Sequence, residues 1–188
     1  PLDLSFHNRA VEFAKTRGDK PLLADLQQLA NANTKNLMAE ENKIFTSGLH
    51  AANLLENTLK WVPYTGNNKL KNETLALAEK RGDALIARDG CMPIAPAIDY
   101  YEVAGNDGKI KQAKSRALKF GEQFEKQGSL PAAAGCYELA DADNKSDTLR
   151  KKVDTQRAQQ EVEHQKTEKV RKEKFSKESD DLEKELGI

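Results

Sequence analysis

Strand formers are what this 188-residue chain lacks most. Aromatic residues make up 6% of it, and Val and Ile are sparse beside Ala, Leu, Lys, Glu and Gln. That balance favours helix over a compact sandwich. Hydrophobic residues reach 38% against 32% charged, which suits an elongated helical protein better than a compact layered core. Charge of one sign is also lacking, since 30 Lys and Arg balance 30 Asp and Glu. No overall basic field draws nucleic acid or anionic lipid, so no nucleic-acid partner is expected. No apolar run approaches the roughly 20 residues of a membrane span. No leader peptide is visible, but the sequence opens at Pro1 and can be a processed form. A periplasmic or secreted location and a cytoplasmic one both stay open.

Reactive side chains are few. The two cysteines, Cys91 and Cys136, have no metal-ligand spacing. A disulfide between them stays open, because it requires Cα atoms within about 7 Å. His7 and His50 lie beside apolar helical positions and read as packing or capping residues. His164, with Glu161 and Glu168 at helical spacing, falls short of the ligand set of a closed metal site. There is no phosphate-binding loop, no HExxH pair and no nucleophile elbow. No catalytic residue, cofactor or metal is therefore expected, and the chain reads as a non-enzyme. An enzyme or metal-dependent accessory protein is the alternative, and it would have to use His50 or the cysteines.

What the chain has is a recurring block. Gly128–Asp141 (GSLPAAAGCYELAD) returns in altered form as Gly18–Asn31 and Gly90–Gly105. Each copy has a Gly, a Pro three residues later and an apolar face closing on Ala30, Ala104 or Ala140. Such self-similarity is the mark of helical repeats. Helical periodicity covers Asp3 to Thr16, with a break at Arg17-Gly18-Asp19 and Pro21 in the next first turn. Asn33-Thr34 reads as an N-cap for a following helix. Thr34 to Trp61 is then a hairpin turning at Ser47-Gly48 or one long helix, with the hairpin favoured. A loop from Pro63 to Asn68 leads to helices over Asn72 to Arg88, Met92 to Ala104, Ile110 to Lys126 and Leu130 to Ala140. Trp61-Val62-Pro63-Tyr64 reads as an apolar cap on the stack or as a partner anchor. Tyr101 is expected to pack between hairpins and Tyr100 to be exposed.

From Ser146 the apolar residues thin to Leu149, Val153, Ala158, Val162, Val170, Phe175, Leu182 and Leu186. Acid-to-base pairs four apart (Glu168–Lys172, Glu173–Lys177, Asp180–Lys184) support a solvated helix. It would be on the order of 60 Å long, with Gly187 as its stop. The apolar spacing holds no strict heptad. Two regions follow: a helical repeat domain over 1–145 and a charged C-terminal helix over 146–188.

The last hairpin carries Phe120-Gly121 with Phe124 on its first helix, Gly128 at the turn, and Ala133, Tyr137 and Ala140 on its second. In this it resembles a tetratricopeptide repeat. Lys145 stands where that family has its closing Pro. The preceding hairpin is similar, with Gly82-Asp83-Ala84-Leu85 followed by Ala97, Tyr101 and Ala104, but has extra residues around its turn. The first hairpin keeps only Gly18, Pro21 and Ala30. A generic antiparallel bundle is the alternative. The resemblance implies an all-α fold of antiparallel hairpins stacked as a short TPR-like solenoid, followed by the charged helix. It also implies a concave groove lined by the first helices, through Glu79, Asp83, Ser115, Glu122, Glu125 and Lys126. Those mostly acidic walls would favour a basic or amide-rich peptide. The expected function is a non-catalytic scaffold or adaptor that binds a protein or peptide partner. Self-association through the C-terminal helix is the alternative.

Overall fold

The computed structural model describes the backbone of residues 3–186, and the side chains of residues 3–172 and of Phe175. The expected Glu173–Lys177 and Asp180–Lys184 pairs, Leu182, Leu186 and the stop at Gly187 lie outside the described residues. Eight α-helices and one 3-10 turn make up the described regular structure: α1 (Leu4–Arg17), α2 (Lys20–Thr46), α3 (Ala52–Trp61), the 3-10 turn Val62–Tyr64, α4 (Asn68–Ile86), α5 (Ile94–Ala104), α6 (Asp107–Lys126), α7 (Leu130–Leu139) and α8 (Asp143–Leu186). The class is all-α, with no strand among the described residues.

The recurring block marks helix junctions. Its three glycines stand at φ 65° (Gly18), 97° (Gly90) and 77° (Gly128), backbone that a Cβ strains. At Gly18 the left-handed residue caps α1, its N–H bonding back to Ala14 and Lys15. Each proline then sits where its missing N–H costs little: Pro21 and Pro131 in the first turn of α2 and α7, Pro93 just before α5. Side chains finish the caps. Asp3 Oδ1 accepts from the amides of Ser5 (2.8 Å) and Phe6 (3.4 Å), and Asp19 Oδ1 accepts from Leu22 at 3.0 Å. Replacing Asp19 with Ala is expected to cost about 1 kcal/mol of stability, read as a lower urea midpoint at constant slope.

The sequence pattern misplaces one boundary. Asn33-Thr34 is not a cap, and α2 runs unbroken for 27 residues. The polar run is absorbed inside the helix. Thr34 is fully buried and its hydroxyl donates back to the Asn31 carbonyl at 2.9 Å. Asn31 Nδ2 donates to the Gln27 carbonyl (2.9 Å) and to the Thr65 carbonyl (2.8 Å). The turn at Ser47-Gly48 does form, so Lys20 to Trp61 is one long helix, a turn and a short helix. Trp61 and Val62 are buried.

By contact density the chain forms two compact units, Pro1–Ala117 and Leu118–Ile188. In the first, α2 packs against α1, α3 and the 3-10 turn, and α4 against α5. Leu55 and Leu85 are fully buried there, each contributing about 1.5–3 kcal/mol relative to exposure. In the second, α7 lies on the opening turns of α8. Ala133, Ala134, Tyr137 and Leu149 form the core, with Leu118, Phe124, Leu130 and Ala142 around it. The last hairpin and the start of the charged helix therefore share one hydrophobic cluster.

Candidate functional site

Three polar assemblies in the first unit bring chemistry-bearing residues together. The first is sealed inside. Glu41 of α2 is fully buried and pairs with Arg81 of α4, whose side chain is 12% exposed, at 3.2 Å. A second guanidinium nitrogen reaches Glu41 Oε2 at 3.3 Å and Asn42 Oδ1 at 2.6 Å. Tyr100 of α5 donates its hydroxyl to Glu41 Oε1 at 2.8 Å and accepts from the Ala51 amide at 3.2 Å. Phe45 lies between them, 4.1 Å under the Arg81 guanidinium and edge-on to Tyr100 at 5.9 Å. Burial, reinforced by the bond to Glu41, pushes the Tyr100 hydroxyl up to about 12. The expectation that Tyr100 is exposed is thus overturned, because its hydroxyl has a buried carboxylate to bind. With Glu41 and Tyr100 fully buried, the assembly reads as a lock between α2, α4 and α5.

The second assembly contains two residues of the expected groove. Lys109 at the start of α6 reaches Glu79 Oε1 at 2.8 Å and Asp83 at 2.6 and 2.7 Å. Tyr101 donates to Asp83 at 2.9 Å, and Asn106 Nδ2 donates to Glu79 at 3.4 Å. The Lys109 bond holds the Asp83 carboxyl below its ordinary range. The two carboxylates hold Lys109 above its own. Burial, aided by Asp83, raises Tyr101 to about 12. Three charges thus sum to one negative, and the pull on a cationic ligand is correspondingly reduced. Ser115 is exposed on α6.

The remaining expected groove residues belong to the second unit. Glu125 accepts from the Tyr137 hydroxyl at 2.7 Å. Glu122 lies 3.7 Å from Lys145, whose ammonium stands 4.9 Å over the Tyr137 ring. Lys126 is exposed.

The third assembly is an open cleft between α3 and α5, of about 450 Å³, which sequence reasoning missed. Ala52, Asn53 and Glu56 face it from α3; Pro96, Asp99, Glu102 and Val103 face it from α5; His50 joins from the preceding turn. Both helices contribute residues three or four apart, which places them on one face. Glu56 is bonded to Lys60 at 2.7 Å. Asp99 and Glu102 are exposed, with no ion pair among the described residues. The cleft thus sets carboxylates beside the apolar surfaces of Ala52, Pro96 and Val103. The Pro96, Asp99, Glu102 and Val103 spacing is the local signal of this face, but the helix opposite it is set by packing.

The histidines divide. His7 is buried against Trp61 and Tyr64. His50 is exposed in its turn, 6.3 Å from the Phe45 ring, and α3 has no side-chain cap, which corrects its reading as a packing or capping residue. His164 is exposed on α8. Among the described residues no group of three or more His, Cys, Asp or Glu is placed to hold a metal, and no cysteine is a free thiol. No described helix is long and apolar enough to cross a membrane. Compared with protein-family models, curated proteins and solved structures, the chain finds no match.

Proposed function

We propose that the chain is a non-catalytic interaction module of TPR-like helical hairpins with a charged C-terminal helix, and that it holds a basic segment of a partner protein. The observation that carries this reading is the α3–α5 cleft, where Glu56, Asp99 and Glu102 stand around Ala52, Pro96 and Val103. A lysine or arginine side chain suits such a site. Its aliphatic stem covers the apolar floor while its charged head meets the carboxylates. The repeat character is supported by a contact found in both units. Gly82 sits directly under Tyr101, and Gly121 directly under Tyr137, each too close for a Cβ. Small-against-aromatic contacts of this kind let paired helices approach closely.

A fluorescein-labelled peptide of alternating Lys and Leu tests the proposal by anisotropy at low salt. Asp99→Lys with Glu102→Lys is expected to weaken binding about tenfold or more, the scale of one or two lost charge contacts. Glu122→Lys with Glu125→Lys is expected to leave it unchanged. The opposite ranking would move the site to the groove of the sequence reading. Equal indifference would remove a basic partner altogether.

Assembly through α8 is the other reading, and it rests on exposed Val162, Val170 and Phe175. At about 100° per residue these three spread over some 220° of the helix, too widely for one seam. A chain ending at Gln160, which keeps Leu149 and Val153, is accordingly expected to bind the peptide as the full chain does.

A further inference from the structure

α1 is held to the first unit by few side chains: His7, Val11 and Ala14 are its buried residues. Its outer face leaves Phe6 at 67% and Phe13 at 52% exposure. Among the buried three, His7 is polar. It is 2% exposed, with its ring 4.9 Å from Trp61 and 5.5 Å from Tyr64, edge-on to both. Its Nε2 is sealed from solvent and has no hydrogen-bond partner among the described residues. A neutral imidazole tolerates that seat. An imidazolium does not, because the added N–H would have neither water nor an acceptor.

The charged neighbours are otherwise engaged or turned to solvent. On α1, Asp3 is bonded to Ser5 and Phe6, Glu12 to Lys15, and Arg9 is exposed. At the start of α2, Asp19 caps Leu22, and Lys20 and Asp25 are exposed. On α3, Lys60 is bonded to Glu56. Tyr64 is the titratable group in ring contact. Burial accordingly holds the His7 imidazole below its ordinary 6.5, with no charged group contributing.

We infer that α1 is an acid-releasable helix: protonation of His7 expels its ring from the Trp61–Tyr64 seat, and α1 swings out on the Gly18 turn, uncovering Trp61. The sign follows from proton binding. The unfolded or released segment takes up a proton below 6.5 and the docked one does not. Docking is therefore fully favourable above 6.5 and weakens as pH falls from there towards the lower value of the docked state.

Trp61 is the chain's one tryptophan, so its emission reports directly on the seat. Titrating the full chain from pH 8 to pH 5 is expected to give a red shift of the Trp61 emission maximum with a midpoint below 6.5, while most of the far-ultraviolet helix signal remains. His7→Phe, which fills the seat without titrating, is expected to abolish the shift. Three results would overturn the inference: no change down to pH 5, the same shift in His7→Phe, or quenching without a wavelength shift. The last would mean that the proton enters while the helix stays docked. Proton NMR of the unaltered chain gives an independent check should His7→Phe fail to fold. His7 must titrate together with the Trp61 indole resonance; an indole resonance that does not follow His7 would also overturn the inference.

Discussion

Glu41→Ala is expected to lower the stability of the protein by about 3–5 kcal/mol, the cost of leaving a buried charge without its partner. The deletion orphans two groups at once. Arg81 keeps its positive charge at 12% exposure with the Asn42 amide and the Phe45 ring but no carboxylate, and the Tyr100 hydroxyl loses its acceptor. Chemical denaturation checks the value, as a lower midpoint at an unchanged slope. Converting the pair together, with Glu41→Leu and Arg81→Met, is expected to recover about half of the loss. Apolar residues of similar volume replace buried ion pairs at little cost, leaving the unsatisfied Tyr100 hydroxyl at about 1–3 kcal/mol. Equal losses in the single and the double variant would mean that the site is sensitive to shape rather than to charge.

The second large effect runs against helix propensity. In an isolated peptide of α4, Gly82→Ala should raise helicity, because Ala is about 0.8–1.0 kcal/mol better than Gly in a helix interior. In the folded chain it is expected to destabilise by about 1–3 kcal/mol, the usual cost of overpacking. The added Cβ would lie 2.4 Å from Tyr101 Cε1 and 2.7 Å from Cδ1. That ring has nowhere to go: it is 2% exposed and its hydroxyl is tied to Asp83 at 2.9 Å. A double-mutant cycle with Tyr101→Leu checks the cause. The cost of the added methyl should largely vanish when the ring is gone, a coupling of about 0.5–3 kcal/mol. At Gly121, where the Cβ would stand 2.8 Å from Tyr137 Cδ1 and Cε1, the same substitution is expected to act in the same direction.

These two sites also mark what could be read from residues alone. Punctuation was legible: Gly18, Gly90 and Gly128 fall at helix junctions because positive φ and a following proline are local demands that any helical context obeys. The register of α2 was not, because Asn33-Thr34 satisfies its polar groups inside the helix and at Thr65, a tertiary partner invisible in a single segment. Glu41 was legible in principle. It occupies an apolar-stripe position, seven residues after buried Thr34 and four before Phe45, and a charge at such a position demands a buried partner. The partner itself, Arg81, is forty residues away and no local pattern names it. The same holds for the α3–α5 cleft. The α5 side has a readable spacing, but which helix faces it is a matter of packing.

The unbroken length of α2 has a consequence for how the first unit unfolds. Repeat arrays approximate a chain of separate cooperative units joined by nearest-neighbour interfaces, so they can open one at a time. Here a single helix of 27 residues, about 40 Å long, is shared by α1, α3 and the 3-10 turn. Its first half lies beside α1, and its second half holds the Glu41 lock to α4 and α5. Opening the lock leaves the second half unsupported, and losing the helix there weakens the half that seats α1. Slow amide exchange should therefore extend along α2 past Asn33 without a step, so that residues 20–46 report one opening free energy where a true repeat boundary would report two.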